Sequence, residues 1–102
     1  MIPVDKVKKI IERFNSLEKE LSDGKFDSKQ FAKKSKEYSD LKEIVNPAKE
    51  YLSFEKNKKD LSNLINDSNS DEEMVSLAQK ELDSAEKIKN LQEKKIKIFL
   101  LP

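Results

Sequence analysis

Apolar residues recur along this chain in runs with steps of three and four, and polar turn clusters near residues 22–25 and 66–70 divide it into three segments. The first run is Val4, Val7, Ile10, Ile11, Phe14, Leu17 and Leu21, with Lys6, Lys8, Lys9, Glu12 and Arg13 largely off it. That spacing puts one apolar stripe along a helix. Pro3 is preset for a first helical position, and Asp23-Gly24 supplies a stop, so a helix over about 4–21 is predicted.

The second run opens on the strongest local start signal in the chain. Asp27 is a cap with Gln30 three residues on, and Phe26 is placed to staple onto Phe31. Its stripe is Phe31, Tyr38, Leu41, Val45, Ala48, Leu52, Leu61 and Ile65, flanked by Ile44, Tyr51, Phe54 and Leu64. Asn46-Pro47 falls inside it and allows two readings, a new helix start or a kink. The steps from Tyr38 through Leu41, Val45 and Ala48 to Leu52 keep phase across the proline, which favours one kinked helix over about 28–66.

Residues 66–70, Asn-Asp-Ser-Asn-Ser, form a polar turn. Ser70 and Glu73 then make a capping box, and Leu101-Pro102 closes the run because proline forces its predecessor out of helical geometry. The helix expected between them covers about 71–98, with a stripe of Met74, Ala78, Leu82, Ala85, Ile88 and Leu91 that continues less regularly through Ile96, Ile98 and Phe99. At 1.5 Å per residue the three helices would be under about 30, near 60 and near 40 Å long. The far part of the second, from Phe54 to Ile65, then has only the start of the third as a neighbour. The expected fold is all-α: an elongated three-helix bundle, a short first helix plus a long antiparallel helical hairpin with a kink near Pro47, its exposed tip at 66–70.

Composition supports this picture and removes several kinds of chemistry. The chain has 102 residues, room for one domain, with 40% charged and 35% hydrophobic residues; 48 of the 102 are Ala, Glu, Lys, Leu or Arg, the mix of long helices. Twenty-one basic residues against 20 acidic ones leave a net charge of +1, so any nucleic-acid contact must be local. Twenty of the cations are lysines, which lack the planar fork of arginine. The absence of Cys, His and Trp excludes disulfides, thiolate and imidazole catalysis and most zinc sites, and fits a reducing cytoplasmic setting. A lone glycine, Gly24, excludes a phosphate-cradling loop, and no apolar run is long enough to span a membrane. No cofactor, metal or small-molecule ligand is expected, and no catalytic residue.

Charge patterning leaves two candidate contact patches. Residues 71–83 carry five acids and one lysine, whereas 87–97 carry five lysines and one acid, a gradient that complements the helix dipole without any partner. Lys87, Lys89, Lys94, Lys95 and Lys97 nonetheless form one candidate surface, and Lys56, Lys58 and Lys59, nearer the tip, form the other. The acidic run Asp71, Glu72, Glu73 reads as a solvated helix start, because successive helical positions face different ways.

The order of elements resembles the N-terminal domain of bacterial class I peptide-chain release factors. The resemblance rests on Met74, Ala78, Glu81 and Leu82 after an acidic cap, a Lys/Glu-rich continuation, the closing Leu100-Leu101-Pro102, the segment Ser35-Lys36-Glu37-Tyr38 and the Asp-rich turn before the third helix. The Leu-Leu-Pro ending is similar to the branch that reads UAA and UAG. Asn46-Pro47 departs from the commoner family pattern. Such a resemblance implies a docking domain that approaches the GTPase-associated centre of the large ribosomal subunit, meeting rRNA and stalk-base protein, and that is linked to the class II release-factor GTPase. It also implies a longer protein, since codon reading and the Gly-Gly-Gln loop of peptidyl-tRNA hydrolysis lie elsewhere in the family. No family contact residue transfers by motif, so Lys56, Lys58 and Lys59 are ribosome-contact candidates from charge and position alone.

Two other readings stay open at this level. One is the tRNA-binding helical arm of a seryl-tRNA synthetase, against which stand the short first helix and the single arginine, Arg13. The other is a generic coiled-coil interaction module. That module would bury its stripes between chains, whereas three unequal helices can bury theirs within a monomer.

Overall fold

The computed structural model describes residues 2–102 and contains three helices, α1 (Val4–Asp23), α2 (Ser28–Asn66) and α3 (Glu72–Phe99). This is the elongated all-α arrangement expected, extending 61 × 28 × 19 Å with a radius of gyration of 18.4 Å. A compact chain of 100 residues would have a radius near 13 Å.

Local devices fix the helix ends, and several of them differ from expectation. Pro3 lies just outside α1 rather than at its first turn, in an extended conformation (φ −56°, ψ 133°), and its carbonyl accepts from the amides of Lys6 and Val7 at 3.1 and 3.4 Å. At the far end Gly24 takes the left-handed conformation (φ 65°) that a side chain would disfavour, and its N–H donates to the Glu20 carbonyl at 3.4 Å. Asp27 caps α2 as anticipated, its Oδ1 accepting from the Gln30 amide at 2.8 Å. Near this cap Phe31 is half exposed, and the Lys34 ammonium sits 5.2 Å from the centre of the Phe26 ring. The cap of α3 is Asp71, whose Oδ1 accepts from the Met74 amide at 2.8 Å. Ser70 turns the other way, and its Oγ donates to the Leu64 carbonyl at 2.7 Å, satisfying the end of α2.

Helix α2 runs unbroken through Pro47. A proline inside a helix removes one backbone donor and crowds the preceding turn, at a cost of about 3 kcal/mol. Packing offsets it, because Ile44, Val45, Ala48 and Tyr51 on either side are all buried.

Two antiparallel pairings share α2. Its N-terminal half receives α1, through an Arg13–Glu37 ion pair, a Tyr38 hydroxyl donating to Glu18 at 3.0 Å, and Phe14 stacked on Tyr38 with ring centres 4.9 Å apart. The same pairing extends to Tyr51, whose hydroxyl accepts from the Ile2 amide at 3.1 Å. The C-terminal half of α2 receives α3, whereas α1 and α3 scarcely touch. The main core therefore joins Ile2, Val7, Ile10, Phe14 and Leu17 to Leu41, Ile44, Val45, Ala48 and Tyr51, and Ile96 is the one residue α3 adds to it.

The inward face of α3 differs from the predicted stripe in its second half. Val75, Ala78, Leu82, Ala85, Lys89, Gln92 and Ile96 follow one another in alternating steps of three and four and are all buried or half-buried. Met74, Ile88, Leu91, Ile98 and Phe99, expected on the stripe, are exposed. Two rows lie side by side on this helix, and the richer apolar row loses. The winning row places Gln92 Nε2 to donate to Glu50 and the Lys89 ammonium 5.4 Å from the centre of the Phe54 ring.

Candidate interaction surfaces

The arm formed by the ends of α2 and α3 carries the first candidate patch. Lys56, Lys58 and Lys59 are all exposed on α2. At 3.6 residues per turn Lys56 and Lys59 lie about 60° apart on the helix, whereas Lys58 points about 100° or more away from either. Two of the three lysines thus form a local pair, and the third stands on another side. Asp67, Ser68 and Asn69 at the tip are exposed, with the turn closed by the Asn69 amide donating to Asp67 Oδ1 at 2.9 Å.

The basic half of α3 is divided by contacts within the chain. Lys97 pairs with Glu93 at 3.2 Å and Lys89 lies 4.0 Å from the same carboxylate, so both are partly neutralised. Lys87, Lys94 and Lys95 remain exposed. Gln92 is buried between the helices, and among the described residues its Oε1 finds no hydrogen-bond partner.

Beside this seam runs an open groove of about 550 Å³ with an apolar floor of Leu61, Leu77, Ala85 and Ile88. Leu77 and Ile88 are more than half exposed there. Asn57, Asp60, Lys80, Glu81 and Ser84 form its polar rim. Asp71 of the acidic run is spent as a helix cap, and no cluster of potential metal ligands occurs among the described residues. No described helix is long and apolar enough to cross a membrane.

The opposite end of the molecule holds a cation cluster that the sequence reading did not single out. Arg13 reaches across from α1, donating from Nε and Nη2 to the two oxygens of Glu37 at 2.7 and 2.9 Å. These hydrogen bonds hold the Glu37 carboxyl below its usual range, against the effect of burial and with help from the charges of Arg13, Lys34 and Lys33. Lys34 pairs with Glu20 at 2.6 Å. Arg13, Lys25, Phe26, Gln30, Lys33 and Lys34 surround a cleft of about 530 Å³ with Glu37 at its edge. The available signal was the lysine density of residues 25–36, five against one acid, but only the fold brings Arg13 to it.

The molecule is thus a long unequal helical hairpin with a short helix on one flank and a strongly charged surface. Residues 10–102 match the family described as "PCRF domain", and the chain belongs to that family. Its relatives are named peptide chain release factor 1. That of Pelagibacter ubique (strain HTCC1062) is 48% identical over 102 residues, which is 100% of this chain and 29% of the relative. That of Orientia tsutsugamushi (strain Boryong) is 41% identical over 95 residues, 92% of this chain and 26% of the relative. That of Agathobacter rectalis is 45% identical over 101 residues, 96% of this chain and 28% of the relative. The chain thus spans under a third of the length of these proteins. No solved structure matches it. Family membership takes the place of the synthetase-arm and generic coiled-coil readings.

Proposed function

We propose that this chain is the N-terminal helical docking domain of a release factor of the UAA/UAG-reading type, acting in translation termination in the cytoplasm. The observation that carries the reading is the family match over residues 10–102, joined to relatives named peptide chain release factor 1 that extend far beyond the matched region. On this reading the domain docks at the GTPase-associated centre of the large ribosomal subunit, against rRNA and stalk-base protein, as a monomer. It influences recycling through the class II release-factor GTPase. Codon recognition and peptidyl-tRNA hydrolysis belong to the remainder of such a protein. This chain contributes position: a helical rod 61 Å long that sets where the rest of a factor sits.

Exposure and placement near the free end of the rod support Lys56, Lys58 and Lys59 as the contact residues. Binding of the purified chain to isolated large ribosomal subunits tests both levels of the proposal. Replacing the three lysines by glutamate should weaken binding at least about tenfold, the effect of losing about 1.4 kcal/mol. Unchanged binding would reject the patch, and a wild-type chain that does not bind the subunit at all would reject the docking role.

A further inference from the structure

We infer that the cleft at the end of the α1–α2 hairpin is a second binding site, built to hold the phosphodiester backbone of single-stranded RNA. It goes beyond the docking proposal above and does not depend on it, since Lys56, Lys58 and Lys59 lie on the other half of α2, beyond Tyr51.

The argument begins with charge. The whole chain is nearly neutral at +1, yet the cleft is lined by Arg13, Lys25, Lys33 and Lys34 against Glu37 alone. Counting Glu20, the partner of Lys34, four cations still face two carboxylates. The ion pairs also order the site. The bidentate bond from Arg13 Nε and Nη2 to Glu37 fixes the guanidinium plane and leaves Nη1 with its N–H groups for an added anion. Lys25 and Lys33 make no ion pair among the described residues and supply mobile cations beside that fixed one. This combination of one rigid fork and adjacent point charges suits successive phosphates.

The remaining lining distinguishes RNA from an acidic protein segment. Phe26 is half-buried at the cleft, held by the Lys34 ammonium near its ring, and Gln30 adds an amide with donors and an acceptor. An aromatic plane beside a basic track is what an unstacked base uses, and an amide can bond to a base edge. A run of carboxylates has no use for either. The local fold keeps these groups in place: Gly24 turns the chain in its left-handed conformation, and Asp27 caps α2 immediately after Phe26.

Fluorescence anisotropy with a labelled 12-nucleotide single-stranded RNA tests the site on the full chain. Lys25→Glu with Lys33→Glu should reduce affinity at least about tenfold and flatten the salt dependence by roughly 1.4 in slope, two phosphate contacts at about 0.7 each. Lys42→Glu with Lys49→Glu, at exposed positions of α2 away from the cleft, changes net charge by the same amount and should have a clearly smaller effect. Phe26→Ala should weaken binding about five- to tenfold by removing one stacking platform. Circular dichroism confirms that the exposed-site variants stay helical. Equal losses from the two double variants, or no loss from either, would overturn the site. Competition by polyglutamate as effective as by RNA at equal charge would instead make the partner an acidic protein and overturn the RNA assignment.

Discussion

The two halves of α2 are held by different means. Around Leu41 to Tyr51 the helix is sandwiched by α1 and touched by the end of α3, and eleven residues from three elements form one buried cluster. Beyond Phe54 it has α3 alone, where the fully buried apolar contact is Ala78, with Leu61, Leu64, Ile65, Val75 and Leu82 only half covered. A helical pair without a third layer hides one side of each stripe and exposes the other. The base should therefore set global stability, and the arm should open first. On the docking proposal, a well-packed base and a thin arm would separate holding the fold from making contact.

The largest expected effect tests this division directly. Leu17 is fully buried in the base, whereas Leu91, on the predicted stripe of α3, is more than half exposed. Leu17→Ala should cost about 2–5 kcal/mol in urea unfolding, the range for emptying a packed leucine site. Leu91→Ala should stay within about 0.5 kcal/mol. Native-state hydrogen exchange should show amides of 57–65 and 75–85 opening more readily than those of 7–17 and 41–51. A loss at Leu91 comparable to that at Leu17 would mean that the outer row of α3 is covered after all, and amides of 57–65 and 75–85 as well protected as those of 7–17 and 41–51 would mean that the division is wrong.

The same pair of leucines shows where sequence reasoning reached and where it stopped. Helix existence and the burial of Val7, Ile10, Phe14 and Leu17 followed from a single uninterrupted stripe, because α1 has one apolar face and no competitor. Continuity through Pro47 was legible for a related reason, since Tyr38, Leu41, Val45, Ala48 and Leu52 keep step across it. On α3 the predicted and observed rows share Ala78, Leu82, Ala85 and Ile96 and part between the last two, Ile88 and Leu91 against Lys89 and Gln92. Which one turns inward is decided by Glu50 and Phe54 on the partner helix, and nothing within α3 records them. The contact surfaces were less legible still. Lysine patches read along one helix ignore rotation, which separates Lys58 from Lys56 and Lys59, and ignore long-range arrivals such as Arg13 at the 25–36 cluster.

A smaller effect sharpens the arm side of the comparison. The turn between α2 and α3 was predicted to use a Ser70–Glu73 capping box, but Asp71 makes the capping bond and Ser70 closes α2. Asp71→Ala should therefore cost about 1 kcal/mol, the usual value for a lost N-cap. Glu73→Ala should cost only a few tenths, the residual interaction of an acid with the helix dipole. Because the arm opens locally, the Asp71 effect should appear more strongly in exchange of amides 72–80 than in the unfolding midpoint of the whole chain. A larger loss for Glu73 than for Asp71 would restore the capping box.

The smallest effect belongs to the Arg13–Glu37 pair that ties α1 to α2 at the outer end of the base. Hydrogen bonding to Arg13 lowers the Glu37 pKa from its ordinary value near 4.5. A depressed folded-state value means that the pair's contribution is present above that ordinary value and is lost as pH falls through the lower, folded one. Both side chains are more than two-fifths exposed, so solvent screening limits the contribution to under about 1 kcal/mol. Glu37→Gln should accordingly lower stability slightly at pH 7, and the gap to the wild type should close below about pH 4.5. High salt should shrink the same gap at pH 7, as it does for exposed charges. A gap that persisted once the pH had fallen below the folded-state titration of Glu37 would place the residue's value in packing against Arg13 rather than in charge. In that case the base would rest on apolar contacts even at its rim, a sharper contrast with the half-covered arm.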